Sequence, residues 1–396
     1  MRALPKIRSF LFRPIIFPSI RPTSEAAMIP VNTPSFKGRE AEYLAECIES
    51  GWVSSEGPFV RRFEKAFAER VSRADGVAVA NGTCALDIAV KALRLGEGDE
   101  VIIPTFTIIS CASAVVRAGA TPVVVDCDPI TWNMTAEAVE RRITPKTKAI
   151  MVVHIYGLPV DMDPILELAK RHGLKIIEDA AEMHGQTYKG RPCGSFGDIS
   201  IFSFYPNKHV TTGEGGMVLA DDPELLERSR SLRNLCFIET ERFVHYELGW
   251  NYRMSNLQAA VGLAQLEQLD DVVSRKRSIG AAYEQRLGDL ECFERAPRST
   301  NYAENIYWVF GLVIRPSAKK SRADIVAALS SRKIGTRPFF WPMHRQPVFE
   351  KMGLFLGESH PVSEYIGTNG FYLPSGLGLS DANIDEVSGA VRDIVL

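Results

Sequence analysis

Three short stretches of the 396-residue chain hold side chains that could do covalent or electrostatic chemistry. In "FSFYPNKHVTTGEGG", residues 202–216, Lys208 follows Ser203 by five positions and precedes Gly213, Gly215 and Gly216. A free lysine titrates near 10.4, so presenting its neutral amine at pH 7 costs roughly 4–5 kcal/mol. A Schiff base with an aldehyde avoids that cost, because the nitrogen is already bonded to carbon. The nearby glycines let backbone approach a ligand closely. In "IIEDAAEMHG", residues 176–185, Glu178 and Asp179 close an apolar run. A carboxylate buried there needs a cationic partner. A protonated pyridine nitrogen would serve, through a charge-assisted bond contributing roughly 1.5–3 kcal/mol. In "VANGTCAL", residues 79–86, Asn81, Gly82 and Thr83 turn into a helix whose free N–H groups suit a phosphate.

Each stretch alone has an ordinary explanation. Lys208 could be a surface charge, the two acids could be solvated at a strand end, and the turn could be a plain N-cap. His184 could pack on a ring or be a satisfied core histidine. The turn is not a Walker A loop, since G-x-x-x-x-G-K-[ST] is absent. Taken together, a phosphate cup, a buried aspartate and an available lysine are what pyridoxal phosphate requires.

The elements that must position these residues are legible as alternating runs. Strands are expected at 76–80, 100–104, 121–126, 149–156, 174–179, 198–204 and 215–221. Several are unbroken apolar runs, as in strands covered on both faces. Between them lie amphipathic stretches such as "DPILELAKRHG", which Gly173 should cap. This alternation specifies an α/β domain with a mostly parallel, seven-stranded sheet. Ligands in such sheets sit beyond the carboxyl ends of the strands, where all three stretches fall. Residues 256–290 have helical periodicity and are expected to form one long connecting helix. Beyond them "YWVFGLVIRP", a helix near 322–332, "RPFFWP" and a last helix from Asp381 form a smaller α+β domain. The expected division is therefore 29–275 for the arm and large domain, and 276–396 for the small one.

Composition narrows the partners. Formal net charge is −2, with no basic run above background, which argues against nucleic acid. No stretch approaches 18 uninterrupted apolar residues, which argues against a membrane span. Seven scattered cysteines without a CxxC read as reduced thiols of a cytoplasmic protein, and no ligand spacing for a metal is present. Residues 1–28 differ from the rest: Arg2, Lys6, Arg8, Arg13 and Arg21 precede the first acid, Glu25. A disordered arm or an upstream start before Met28 is the expectation for this leader.

Five motifs in order, "GWVSSEGPFVRRFEKAFA", "VANGTCAL", "IIEDAAEMHG", "FSFYPNKHVTTGEGGMVLADD" and "GWNYRMSNLQAAVGLAQLEQLD", resemble the sugar-nucleotide aminotransferases of the DegT/DnrJ/EryC1/StrS family. The resemblance runs from about Met28 to Ser375. It implies the aspartate-aminotransferase-like fold type I of pyridoxal-phosphate enzymes and a homodimer with shared active sites. It makes Lys208 the cofactor-bonding lysine and proton shuttle, and Asp179 the partner of the pyridine nitrogen. Glu182 would lie by the ring oxygen, where many relatives have glutamine. Gly82, Thr83 and Ser203 would hold the phosphate, with Asn251 reaching the phosphate of the neighbouring subunit. Ile108 would cover the ring where relatives commonly place an aromatic, losing stacking of roughly 0.5–1.5 kcal/mol.

The implied reaction moves the amino group of L-glutamate to a nucleotide-linked 4-keto-6-deoxy sugar. The motifs look closest to the branch that uses the GDP-linked 4-keto-6-deoxymannose. Lysine rather than histidine at 208 favours transamination over the family's dehydratase chemistry. Ser54, Ser55, His154, Arg253, Arg337 and His344 are the candidates for sugar and diphosphate contacts. Phe340 and Trp341 stand in the same segment and could equally be core. Alternatives are a dTDP- or UDP-linked substrate, a non-catalytic regulator on the same fold, or a lyase using Cys236.

Overall fold

The computed structural model describes residues 28–396, so the leader, apart from Met28, lies outside the described residues. Seven strands form the large sheet: β1 (Asp75–Val79), β2 (Glu100–Pro104), β3 (Thr121–Val125), β4 (Thr147–Val153), β5 (Lys175–Asp179), β6 (Ile199–Ser203) and β7 (Gly216–Ala220). Their order across the sheet is β1-β7-β6-β5-β4-β2-β3. The run from β6 to β3 is parallel, and only β7 runs the other way, between β1 and β6. Each expected strand is found, with its ends moved by no more than a few residues.

Alternation within the strands divides the large domain into two cores. Val77, Val79, Val101 and Ile103 point to one face, and Ala78, Ile102, Ile150 and Phe202 to the other. The helix Gly82–Ala92 fills the first face. Helix Pro58–Arg70 covers the second with Phe59, Phe63 and Phe67, all fully buried. Burial on both faces is why these strands are apolar throughout rather than alternating with polar residues. Gly173, at φ 66°, ends the helix Met162–His172 in the left-handed conformation expected of it.

The expected single helix over 256–290 is two. Asn256–Leu266 opens on a Ser255/Gln258 capping box, and Leu269–Leu287 follows after a break at Glu267–Gln268. Tertiary hydrogen bonds hold that break open: Tyr43 Oη donates to Glu267 at 2.6 Å, and Gln268 Nε2 donates to Glu40 at 3.2 Å. Helical periodicity persists through the break, so the pattern alone cannot reveal it.

The smaller domain carries a four-stranded antiparallel sheet of β8 (Phe293–Glu294), β9 (Phe310–Ile314), β10 (Arg337–Pro338) and β11 (Gly370–Leu373), in the order β8-β9-β11-β10. Its core joins Tyr283, Phe310, Phe371, Val387 and Val391. Helix Leu269–Leu287 links the domains: Val273 packs in the large core, whereas Ile279 onwards packs in the small one. The start of the arm also belongs with the small domain in space. Ile29 accepts from Gly335 N–H and donates to Lys333 O, both at 2.9 Å, and its side chain is in the small core. Among the described residues, no helix is long and apolar enough to cross a membrane.

Candidate active site

The carboxyl ends of β1, β5 and β6 open into one cavity of about 840 Å³. Gly82, Thr83, Ile108, Asp179, Glu182, Ser203 and Lys208 all line it. At one end the helix Gly82–Ala92 presents its amino terminus. The Asn81 side chain accepts from Cys84 N–H at 2.9 Å, leaving the earlier N–H groups of the helix for a ligand. A Cβ at Gly82 would lie 2.7 Å from Ser203 Cβ, so only glycine lets strand and helix meet here. Thr83 and Ser110 share a hydroxyl hydrogen bond of 2.9 Å beside them. Three hydroxyls around a helix start form a cradle of phosphate size and polarity.

At the other end Asp179 is buried and accepts from Ala181 N–H at 3.0 Å and from the Cys111 thiol at 3.4 Å. Burial raises its carboxyl above the ordinary range, opposed by the Ala181 bond and the charge of Lys208. A protonated ring nitrogen is the cation this carboxylate lacks. Lys208 Nζ stands 3.6 Å from Glu182 Oε1, and Glu182 Oε2 accepts from Tyr156 N–H at 2.7 Å. Burial pushes Glu182 up to about 7 and lowers Lys208, moving both members of the pair toward their neutral forms. The side chains around the cavity therefore fit pyridoxal phosphate at its phosphate, its ring nitrogen and its aldehyde.

The family model for the DegT/DnrJ/EryC1/StrS aminotransferase family matches residues 34–392. The chain belongs to that family. It is 42% identical over 365 residues to the GDP-perosamine synthase of Escherichia coli O157:H7, covering 92% of this chain and 98% of that enzyme. With the GDP-perosamine synthase of Caulobacter vibrioides the identity is 41% over 373 residues, covering 94% of this chain and 100% of the other. Among solved structures, the aminotransferase TlmJ from Streptoalloteichus hindustanus superposes with a TM-score of 0.86 at 31% identity, covering 92% of this chain and 98% of that one. The fold is thus the type I fold of pyridoxal-phosphate enzymes, and the protein is a pyridoxal-phosphate-dependent sugar aminotransferase.

The remaining expected contacts divide. Arg337 lies at the cavity margin opposite Tyr372, its cross-strand partner in the small sheet. Phe340 lines the cavity, its N–H donating to Tyr156 Oη at 3.1 Å, whereas Trp341 is exposed. Ser54, Ser55 and Arg253 line a separate groove of about 660 Å³ with Arg230, Arg233 and Arg242. Asn251 is exposed and pairs with Asn234 in an isolated bridge, away from its own chain's cavity lining.

Two of the candidate histidines are bonded within the protein. His154 touches the cavity wall, but both ring nitrogens are spent within the protein. Nδ1 accepts from Val160 N–H and Nε2 donates to Glu178, each at 3.0 Å. Glu178 is completed by the N–H groups of Gly194 and Phe196, at 2.6 and 2.7 Å. Cys193 lies close enough to His154 and Glu178 for the three to hold a metal, but these bonds already occupy the carboxylate and the imidazole. His344 sits outside the cavity lining, bonded to Thr105 Oγ1 at 2.7 Å and to Glu364 at 2.8 Å. His184 is core: Phe67, Phe202 and Phe204 box it, and burial pushes it down to about 3. Cys236, the lyase candidate, is buried in a turn outside the cavity lining.

The sequence reading missed Trp308. Its ring centroid lies 3.9 Å from Lys208 Nζ, although the two residues are one hundred positions apart. The run "YWVFGLVIRP" signals only a strand of the small domain. Ser110 was missed as well, having no feature beyond its place at a helix start.

Proposed function

We propose that the protein transfers the amino group of L-glutamate to the C4 ketone of GDP-4-keto-6-deoxymannose, giving GDP-perosamine for surface polysaccharide. The observation that carries the substrate is the likeness, at 38–42% identity over at least 92% of the chain, to three proteins named GDP-perosamine synthase. Pyridoxal phosphate, when bound, supplies an aldehyde carbon and an electron-withdrawing ring. Asp179 holds the ring nitrogen protonated. Gly82, Thr83 and Ser203 would hold the cofactor's phosphate, at the end of the cavity away from Asp179. The Lys208 amine takes a proton from the donor's carbon and later delivers one to the acceptor's carbon. Glu182, beside it, is poised to share that proton because burial brings its titration near neutrality.

Arg337 suits the anionic end of a substrate, since a guanidinium pairs bidentately with carboxylate or phosphate. It stands at the cavity margin without a carboxylate partner among the described residues.

We further propose a homodimer in which Asn251, Ser54, Ser55 and Arg253 serve the partner's cavity. Two features favour it. The arginine-rich groove lies apart from the chain's own cavity, and Trp52, Val53, Phe243, Tyr246 and Leu248 leave large apolar surfaces exposed around that face.

The test is a mass-spectrometric assay with L-glutamate, pyridoxal phosphate and two keto sugars in parallel, GDP-4-keto-6-deoxymannose and dTDP-4-keto-6-deoxyglucose. Amination of the GDP sugar alone is expected. Amination of the dTDP sugar alone would overturn the substrate but keep the chemistry. Sedimentation of the same sample should give twice the chain mass, and a monomer that is fully active would sink the shared site.

A further inference from the structure

Lys208 has two neighbours at its tip. One is Glu182, at 3.6 Å, and the other is the face of the Trp308 indole, at 3.9 Å from the ring centroid. The indole is itself fixed from several sides. Its Nε1–H donates to Asn207 O at 2.8 Å, and Asn207 is the residue just before the lysine. Its own carbonyl accepts from the buried Lys276 Nζ at 2.7 Å. The ring packs against Tyr156 at 5.7 Å and Tyr372 at 6.3 Å, and only 4% of the residue is exposed. A ring held this firmly cannot follow a moving lysine; the lysine must come to it.

The face of an indole carries negative charge density and attracts an ammonium, while it offers little to a neutral amine. Transamination leaves Lys208 unbonded to carbon between steps. During that interval Nζ takes one proton from a carbon, becoming an ammonium, and gives that proton to another carbon, becoming an amine again. No net charge or atom is gained over the cycle.

We propose that the indole face of Trp308 is the resting place of the freed Lys208, holding its ammonium form beside Glu182 between the two proton transfers. Trp308 is then a positioning residue, acting through Lys208 rather than on the substrate. The inference rests on the transamination of the family and is independent of which keto sugar is used.

The test uses full-length enzyme carrying pyridoxamine phosphate, a state in which Lys208 is free. The rate at which acetic anhydride labels Lys208, measured by peptide mass spectrometry from pH 6 to 10, gives the amine's titration midpoint. Trp308→Leu should lower that midpoint by about half to one pH unit, because the ammonium loses its ring. Trp308→Phe, which keeps a face but not the indole N–H, should fall between the two. The kinetics should agree, with kcat for the glutamate half-reaction falling severalfold in Trp308→Leu and KM for glutamate little changed. A midpoint in Trp308→Leu equal to or above the parent's would overturn the proposal. So would equal shifts in the Phe and Leu variants, since that would trace the effect to the lost Asn207 bond. If the Leu variant does not fold, the Phe variant decides alone: an unchanged midpoint sinks the proposal and a partial fall supports it.

Discussion

Two lysines, Lys208 half-buried at the cavity and Lys276 fully buried behind it, behave differently in this molecule. Lys208 faces the cavity with Glu182 at 3.6 Å, and Asp179 also adds to the field that favours its charge. Lys276 sits in the helix that links the domains and has no carboxylate partner among the described residues; it donates to the carbonyls of Trp308 and Ser375, at 2.7 and 2.6 Å. Burial lowers both, and for Lys276 it is unopposed, pushing the amine down to about 7. A depressed lysine is therefore not by itself a catalytic one. What sets Lys208 apart is an open wall, a proton-sharing acid and a phosphate cradle aimed at the same volume. Lys276 has main-chain carbonyls to tie, and its work is to fasten the turn carrying Trp308, just before β9, to the linking helix.

The comparison is broken most severely by exchanging the roles. Lys208→Ala should lower kcat by at least about a thousandfold, since it removes the group that moves the proton. Its thermal unfolding should stay close to the parent's. Retention of parental kcat would mean that a group other than Lys208 moves the proton. Lys276→Met should do the reverse, keeping most activity but changing how stability depends on pH. The sign follows from the depressed folded value. Below pH 7 the amine is charged in both states and the desolvation cost is fully present. Between pH 7 and the ordinary value near 10.5 the unfolded chain holds a proton that the folded one lacks, so stability rises with pH. The parent should gain on Lys276→Met by about 2–3 kcal/mol from pH 7 to pH 9 in urea titrations. Parallel pH profiles would show that Lys276 keeps its proton in the folded protein, contrary to its unpaired burial.

A third variant sharpens the contrast at the phosphate end. Gly82→Ala places a Cβ 2.7 Å from that of Ser203, and overpacking of this kind costs about 1–3 kcal/mol. Because the cradle is where strain would be relieved, the loss should be seen as roughly 5–100-fold weaker retention of pyridoxal phosphate in equilibrium dialysis. Unchanged retention with lowered stability would place the strain in the core instead.

How far these features can be read from sequence depends on how local their causes are. The seven strands are legible because each is a short apolar run whose two faces are both covered. Lys208, Asp179, Ser203 and Gly82 are legible because they stand at the ends of those runs. The break at Glu267–Gln268 is not, because Tyr43 and Glu40 hold it from more than two hundred residues away. The partners of the histidines are hidden for the same reason. Nothing near His344 in sequence announces Thr105, and it is Thr105 and Glu364 that occupy its ring. Trp308 stands just before the strand Phe310–Ile314, one hundred positions from Lys208, and only the tertiary fold brings its ring over that lysine.

The smallest expected effect tests the wall between the two ends of the cavity. Ile108 is 43% exposed on that wall, at the start of the helix Ile109–Arg117, where an aromatic would present a face to the ring. Offset stacking contributes about 0.5–1.5 kcal/mol beyond burial, so Ile108→Tyr should retain pyridoxal phosphate about two- to tenfold more tightly. The exposure of Ile108 means that the larger side chain can be accommodated without displacing core. An unchanged dissociation constant would mean that the cofactor plane is set wholly by the phosphate cradle and Asp179, with no force from its face. Tighter binding with slower turnover would say instead that isoleucine keeps the ring free to tilt as Lys208 leaves and returns, and that this chain gives up some affinity for that freedom.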